Sequence, residues 1–193
     1  MRKILLFFFT SAILLACSDT PKDSRISTSA TDPGKGSAAI KDTSKKSIPR
    51  TVSKWVGNTD ITISYHSPGV RGRTIWGGLV PYNEIWVTGA HKATSIEIGK
   101  SFRAGDKDIP AGKYALFTIP GKDEWIIVIN KNWSQHLTDD YSEAEDVARI
   151  KVKPEVTRDT TERLTYEIDQ QGERLADIII SWEKLRVVLP LEI

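Results

Sequence analysis

An alternation of apolar and polar residues from Thr51 to the C-terminus constrains the fold of this chain more than any other feature. Within 61–66, Ile61, Ile63 and Tyr65 alternate with polar side chains. Because successive side chains of a β-strand point to opposite faces, this period of two predicts strands with one buried face. A continuous apolar run at 125–129 predicts a strand covered on both faces. Further alternating segments lie at 96–98, 114–119, 149–153, 164–168, 178–182 and 187–193.

Turn-forming residues separate these segments at a spacing of about ten residues. Short strands at this spacing are typical of antiparallel sandwiches and barrels. We therefore predict one all-β domain over residues 51–193, an antiparallel β-sandwich or barrel-like fold of about ten short strands with at most one or two short helical turns. The best helical segment is 142–149, with Ser142 as the N-cap. The turn residues stand at 57–58, 67–69, 104–106, 110–112, 120–123 and 170–172.

The N-terminus has the organisation of an export signal. Arg2 and Lys3 precede an apolar stretch that is too short for a bilayer span, which takes roughly 20 residues. The stretch ends at 14–17 in LLAC, which resembles the bacterial lipobox, where the cysteine thiol takes a diacylglycerol and becomes the new N-terminus. We expect residues 1–16 to be a lipoprotein signal peptide and Cys17 to be lipidated. The alternative is an ordinary signal peptide with a chance cysteine.

Residues 17–50 have the composition of a flexible tether. They are rich in Ser, Thr, Lys, Asp, Gly and Pro and contain only three large apolar residues after the cysteine. Such a segment buries too little surface to offset its ordering entropy. We expect a cell-envelope protein, exported and held to the membrane through lipid on Cys17. Ser18, in place of Asp after the cysteine, favours the outer membrane under the enteric sorting pattern.

Charge and residue counts exclude several classes of protein. Lys plus Arg number 27 and Asp plus Glu 25, and loss of Arg2 and Lys3 with the signal leaves 25 of each. This balance argues against a nucleic-acid partner, which requires a basic face. The single cysteine excludes an internal disulfide and a cysteine zinc cluster. We expect no metal and no cofactor, because the three histidines lack ligand spacing and the acidic segment 139–146 lacks a calcium-loop pattern.

The best candidate for a ligand site is the segment 71–91. Guanidinium groups pair with carboxylate or phosphate, and aromatic faces suit sugar rings or peptides. Together they would make a ligand cleft at a loop-rich end of the sheet. The alternative is that the tryptophans fill the core and the arginines cover their edges. The candidate residues are Arg71, Arg73, Trp76, Tyr82, Glu84, Trp86 and His91.

Several motifs of the chain resemble those of one family. Residues 69–86 read GVRGRTIWGGLVPYNEIW, and TGA at 88–90, IPAGKYALFTIPG at 109–121, WIIVIN at 125–130 and DVAR at 146–149 continue the match. The chain resembles the domain-of-unknown-function 2911 (DUF2911) family of bacterial envelope proteins over about residues 52–185. The resemblance implies a secreted or lipid-anchored β-rich domain and supplies no activity. This chain departs from the family pattern at Val87, His91 and Lys92, where the family usually has Arg, Asn and Glu.

These observations leave three hypotheses for function. In the first, the lipid-anchored sandwich binds an extracytoplasmic ligand: a glycan, a peptide or another envelope protein. In the second, it is a hydrolase or lyase with a site near Arg71, Arg73, Glu84 and His91, which predicts that Glu84 and His91 converge in one cleft. In the third, it is a structural component of the envelope with no ligand-sized pocket.

Overall fold

The computed structural model describes residues 46–193 and contains ten β-strands. The predicted signal peptide, Cys17 and most of the predicted tether lie outside the described residues. The strands are β1 (Ile48–Val56), β2 (Thr59–Ser67), β3 (Ser95–Ile98), β4 (Phe102–Ala104), β5 (Lys107–Ile109), β6 (Gly112–Ile119), β7 (Trp125–Asn130), β8 (Asp146–Val152), β9 (Glu155–Gln170) and β10 (Leu175–Glu192).

The strands form two antiparallel sheets packed face to face. One sheet has six strands in the order β1-β2-β3-β6-β7-β8, and the other has four in the order β5-β4-β10-β9. At the sides of the sandwich, β1 and β2 contact β9, and β8 contacts β5 and β10. The prediction of an all-β antiparallel sandwich is therefore confirmed. Within residues 46–193, no helix has the length and apolar character needed to cross a bilayer.

Alternating residues of both sheets fill the core between them. In β2, Ile61, Ile63 and Tyr65 are buried while the polar residues between them are partly exposed. The largest fully buried side chains of this core are Trp125 and Trp182. Each aromatic side chain of this kind buries on the order of 200 Å² and contributes strongly to stability.

A second, smaller apolar cluster lies on the outer face of β6 and β7. It contains Ala115, Phe117 and Val128 from these strands. Val87 and Ala93, from the connection 68–94 between β2 and β3, cover them. We call this connection loop 68–94, and the connection between β7 and β8 loop 131–145. The two-sided burial explains the continuous apolar run of β7, as predicted.

Three local features differ from the sequence prediction. β1 begins at Ile48, so the folded part starts before the predicted boundary at residue 51. The predicted helical segment 142–149 contains only a 3₁₀ turn at Glu143–Glu145, because residues from Asp146 pair with β7 as β8. The segments 178–182 and 187–193 are not two strands but parts of the single long strand β10, which ends at Glu192.

A backbone irregularity joins the two halves of β10. The inward-facing residues are Ile178, Ile180 and Trp182 before the irregularity, and Val187 and its alternate neighbours after it. Pairing with β9 shifts on both sides of residue 183, and Glu183 has a φ of 55°, in the left-handed region. Such bulges change which residues of a strand face the core. The strand therefore stays continuous although its inward positions change from even to odd numbers.

Candidate functional site

The outer face of the six-stranded sheet is covered at one side and open at the other. Loops 68–94 and 131–145 cover β6 and β7, whereas the outward side chains of β1 and β2 are partly or fully exposed. A groove of about 680 Å³ follows this boundary. Strands β1, β2 and β3 form its floor and the two loops form its wall. We call it the open groove.

Hydroxyl groups cover the floor because the outward positions of the alternation are serines and threonines. Thr51, Ser64 and Ser95 lie side by side on β1, β2 and β3. The hydroxyl oxygens of Thr51 and Ser64 are 3.4 Å apart. In the next row the hydroxyls of Ser53 and Thr62 are 2.7 Å apart. The floor is therefore a polar, nearly flat surface that can donate and accept hydrogen bonds.

A buried carbonyl holds loop 68–94 against the sandwich. The Thr88 carbonyl accepts hydrogen bonds from the Tyr166 hydroxyl at 2.9 Å and from the Thr94 hydroxyl at 3.0 Å. Burial raises the pKa of Tyr166 well above its usual value, so this hydroxyl stays protonated and remains a donor. Thr88 itself has a φ of 50°. These bonds support a sharp bend that directs the following residues towards β2.

Gly89 allows the loop to approach β2 closely. A Cβ at this position would lie 2.8 Å from the Thr94 hydroxyl oxygen and 3.2 Å from the His66 carbonyl oxygen. Two residues later the ring of His91 meets the ring of His66 edge-on, with centroids 5.3 Å apart and planes at 78°. The bend therefore brings His91 and Lys92 to the end of the open groove where His66 lies.

The electrostatics at this end favour a neutral His66. Burial is the largest cause that lowers the pKa of His66, and the nearby charges of His91 and Lys92 lower it further. No acidic side chain among residues 46–193 forms an ion pair with Lys92. A positive potential without a paired carboxylate disfavours a further positive charge and attracts an anion.

Loop 131–145 forms the rest of the wall. The amide of Ala93 donates to the Gln135 carbonyl at 3.0 Å, and the amide of Leu137 donates to the His91 carbonyl at 2.5 Å. Lys92 and His136 lie opposite each other in this short antiparallel contact. The two loops therefore support each other, and both histidine and lysine side chains are held at one end of the groove.

A partly buried polar network fixes loop 131–145 to β7 and β8. Asn130 donates to the Asp146 carboxylate at 2.7 Å and to the Ser142 carbonyl at 3.0 Å. The Tyr141 hydroxyl donates to the same carboxylate at 2.9 Å, and Arg149 donates to it at 2.7 Å. Charge-assisted bonds of this kind are stronger than neutral ones. These bonds hold the ends of the loop against β7 and β8, while its outer residues remain exposed.

Trp133 and Lys113 form the aromatic part of the groove. The Lys113 ammonium nitrogen lies 4.3 Å from the centre of the Trp133 ring, a cation–π contact. It is also 3.7 Å from a carboxylate oxygen of Glu97. Trp133 remains 42% exposed, so a large part of its ring is available to a ligand. Ring surface beside a cation suits a ligand that has both an apolar face and a negative charge.

His136 presents one ring nitrogen to solvent. Its Nδ1 is 2.9 Å from a carboxylate oxygen of Asp139. A carboxylate only accepts, so Nδ1 carries the proton, and Nε2 is the acceptor when the ring is neutral. Within residues 46–193, no three His, Cys, Asp or Glu side chains are arranged to hold a metal ion. The three histidines are therefore not arranged as the ligands of one metal ion.

The sequence-predicted site residues divide between the core, the loop surface and the end of the groove. Trp76 packs edge-on against Trp125 with centroids 4.8 Å apart, and Trp86 stacks on Trp182. Both tryptophans are partly buried and pack against the core between the sheets. His91 contacts His66 at the end of the groove.

None of the seven predicted residues, His91 included, is part of the lining of the open groove. Arg71 donates its amide to the Glu162 carboxylate at 2.9 Å, and Arg73 bonds the Val70 carbonyl at 3.2 Å, so both lie beside β9. Tyr82 and Glu84 flank Asn83, whose amide bonds the Pro120 carbonyl at 2.8 Å beyond the end of β6. The convergence of Glu84 and His91 that the enzyme hypothesis requires stays a prediction.

Sequence reasoning did not select His66, Lys113, Trp133 or Gln135 as ligand-binding residues. For His66 a signal existed, because it occupies an outward position in the alternation of β2. Trp133 and Gln135 lie in a loop without periodicity, and their approach to Lys92 depends on contacts between distant segments. No pattern in the local sequence predicts that approach.

Comparison with known proteins gives one match. A family model described as "Protein of unknown function (DUF2911)" matches residues 47–191, which include nearly all of the region between the start of β1 and the end of β10. No curated protein and no solved structure matches the chain. The resemblance seen in the motifs is therefore confirmed over more than half of the chain: the protein belongs to the DUF2911 family of proteins of unknown function.

Proposed function

We propose that the protein is a binding module whose open groove takes an acidic saccharide. The observation that carries the proposal is the convergence of cationic side chains with an exposed indole over a floor of hydroxyls. Lys92 and Lys113 line the groove with one carboxylate, that of Asp140, and Lys113 also pairs with Glu97 beside it. Charge-assisted hydrogen bonds from such cations to a carboxylate or phosphate are about twice as strong as neutral ones.

The neutral part of the ligand is inferred from the floor and from Trp133. Sugar hydroxyls can exchange hydrogen bonds with Thr51, Ser64 and Ser95, and the apolar face of a sugar ring can lie on an exposed indole. A volume of about 680 Å³ falls within the range of small-molecule sites. An acidic sugar satisfies all three features at once.

The test is isothermal titration calorimetry of the purified full chain with a uronic acid disaccharide. The neutral disaccharide of the same linkage is the matched ligand control. We expect binding of the acidic compound and at least about tenfold weaker binding of the neutral one, which corresponds to loss of about 1.4 kcal/mol. Equal affinity for the two compounds, or binding of neither, would overturn the proposal.

The cellular part of the proposal is that the module is a lipid-anchored protein of the outer membrane. It rests on the lipobox-like LLAC at 14–17, the lone Cys17 and the tether-like composition of the following segment. Several acyl chains on one cysteine would anchor it stably. The test is Cys17→Ser followed by membrane fractionation and carbonate washing. Retention of the variant in the washed membranes would exclude lipid at Cys17 as the anchor.

A second candidate function is that of a hydrolase or lyase acting in the same groove. The lowered pKa of His66 keeps its ring neutral near pH 7, the form that a general base needs. His91 contacts this ring and would be a second participant. The test is incubation with acidic oligosaccharides and chromatography of the products. An enzyme would shorten the chains, and His66→Asn would stop it, whereas a binding module leaves the ligand intact.

A further inference from the structure

We infer that the ligand is a linear glycan chain, with its acidic unit at the His66 end of the open groove and its neutral units running along β1, β2 and β3 to Trp55. This inference rests on the proposed function and adds to it a length, a direction and a second contact. It is carried by a second depression on the same face of the sheet.

The second depression continues the open groove. It has a volume of about 530 Å³ and is lined by Asp60, Thr62 and Glu97 with the turn residues beside them. Lys113 lines both depressions, so they meet at its side chain. A ligand that passes Lys113 therefore contacts the lining of both depressions.

Rows of hydroxyls connect the two depressions. The Thr62 hydroxyl donates to Asp60 at 2.8 Å, so the Ser53 hydroxyl donates to Thr62 across the strands. From His66 to Asp60 along β2 the outward face extends on the order of 20 Å, at about 3.4 Å per residue. This length is several times that of one sugar ring, so a single unit cannot use the whole surface.

An exposed tryptophan stands at the far end. Trp55 is 68% exposed and lies directly opposite Asp60 in the pairing of β1 with β2. Side chains directly opposite each other in an antiparallel pair point to the same face. Trp55 therefore lies on the outer face beside Asp60, which lines the second depression, although Trp55 is not itself part of that lining. Two exposed indoles with hydroxyls between them match a chain of rings rather than a compact ligand.

The charged side chains of the two depressions determine the direction in which the glycan lies. The open groove has Lys92 at its His66 end, whereas the second depression has two carboxylates, Asp60 and Glu97, against one cation, Lys113, which pairs with Glu97. Carboxylates would repel a further acidic unit but accept hydrogen bonds from sugar hydroxyls. The acidic unit is therefore placed at one end, and a chain with acid on every unit fits less well.

The same surface is less suited to an extended peptide. A peptide that adds to a sheet pairs with the free backbone of an edge strand. β1 is an edge of the six-stranded sheet, and Pro49 removes one of the amide hydrogens that such pairing uses. The hydroxyl rows lie on the face of the sheet and not along its edge. The face is therefore assigned to the glycan.

The experiment is a series of glycans of different length, whose binding to the complete protein chain is measured by calorimetry. The probes are a disaccharide and a tetrasaccharide that each carry one uronic acid at the same terminus, followed by neutral sugars. We expect the tetrasaccharide to bind about tenfold more tightly than the disaccharide. Trp55→Ala should remove this gain and leave the affinity for the disaccharide unchanged. Leu175→Ala, an exposed apolar position on the other sheet, is the matched control and should change neither affinity.

The possible failures are distinguishable. If neither compound binds, the proposed function falls and the inference falls with it. If both bind with equal affinity, or if Trp55→Ala leaves the higher affinity of the tetrasaccharide unchanged, only the inference that the glycan extends to Trp55 is overturned. A tetrasaccharide with acid on all units that binds more tightly than the singly acidic one would overturn the assigned direction.

Discussion

The indole of Trp86 stacks on that of Trp182, with ring centroids 5.6 Å apart and planes 18° from parallel. Trp76 lies edge-on to both, with centroids 5.9 Å from Trp86 and 5.8 Å from Trp182. Two tryptophans of loop 68–94 thus join the core between the sheets. The loop that forms one wall of the open groove is therefore anchored in the interior, and its tryptophans contribute to stability.

Trp86→Ala should destabilise the protein without acting on the ligand directly. Removal of a large aromatic side chain from the core costs about 3 kcal/mol, through lost burial and the cavity left behind. Trp133→Ala should show the opposite pattern, with little change in stability and weaker binding of the acidic disaccharide. Urea unfolding curves and calorimetry of both variants separate the two roles. A stable Trp86→Ala variant that has lost binding would contradict this division.

Lys92→Ala should weaken binding of the acidic disaccharide by about tenfold, because a hydrogen bond to a charged group contributes about 1.5–3 kcal/mol. The matched control is Lys184→Ala, which removes the same charge from an exposed position on β10. The loss should diminish as salt is added, since exposed charges are screened. If both variants lose affinity equally, the effect comes from net charge and not from the groove.

Acidification should strengthen binding while it weakens the unliganded fold. The pKa of His66 is lowered in the folded protein, so below the ordinary value of about 6.5 the unfolded chain binds more protons. The contribution of His66 to the free energy of unfolding therefore falls as the pH falls through this range. A bound anion favours the charged ring, so binding takes up a proton and affinity rises as the pH falls.

The check is calorimetry and thermal unfolding between about pH 8 and about pH 5.5, where a uronic carboxylate stays ionised. His66→Asn should reduce both pH dependences, whereas His136→Asn leaves the stability dependence of His66 in place. An affinity that falls steadily on acidification in the wild-type protein would show that no proton is taken up at the site.

Gly89→Ala should lower both stability and affinity. The new Cβ would meet the Thr94 hydroxyl at 2.8 Å, so the bend must open and His91 must move away from His66. Overpacking of this kind costs about 1–3 kcal/mol. Gly172→Ala, whose Cβ would come no closer than 3.8 Å to any neighbour, is the control and should leave the melting temperature unchanged. A Gly89→Ala variant as stable as the wild type would mean that the loop accommodates the methyl group.

The local pattern of the sequence predicts the strands better than it predicts the site. Most strands are visible because burial alternates along a few neighbouring residues, as in β2, whereas the edge strand β1 and the short strands β4 and β5 are not predicted. The open groove depends on contacts such as that of Lys92 with His136, which belong to different loops and share no local pattern. The positions of Trp76 and Trp86 are a third case. An aromatic residue in a turn-rich segment has the same local context whether it binds a ligand or enters the core, and only packing decides.

The irregularity at Glu183 divides β10 into two segments in which the inward-facing positions differ by one residue. Before it, even-numbered residues face the core, and after it, odd-numbered residues do. Insertion of two residues on either side would keep the alternation of inward and outward side chains, whereas a single insertion would turn every later side chain of the strand to the wrong face. A single deletion at the irregularity would have the same effect as an insertion elsewhere. The length of the strand can therefore change only by two residues at a time, and the irregularity that shifts the alternation by one residue must stay at Glu183.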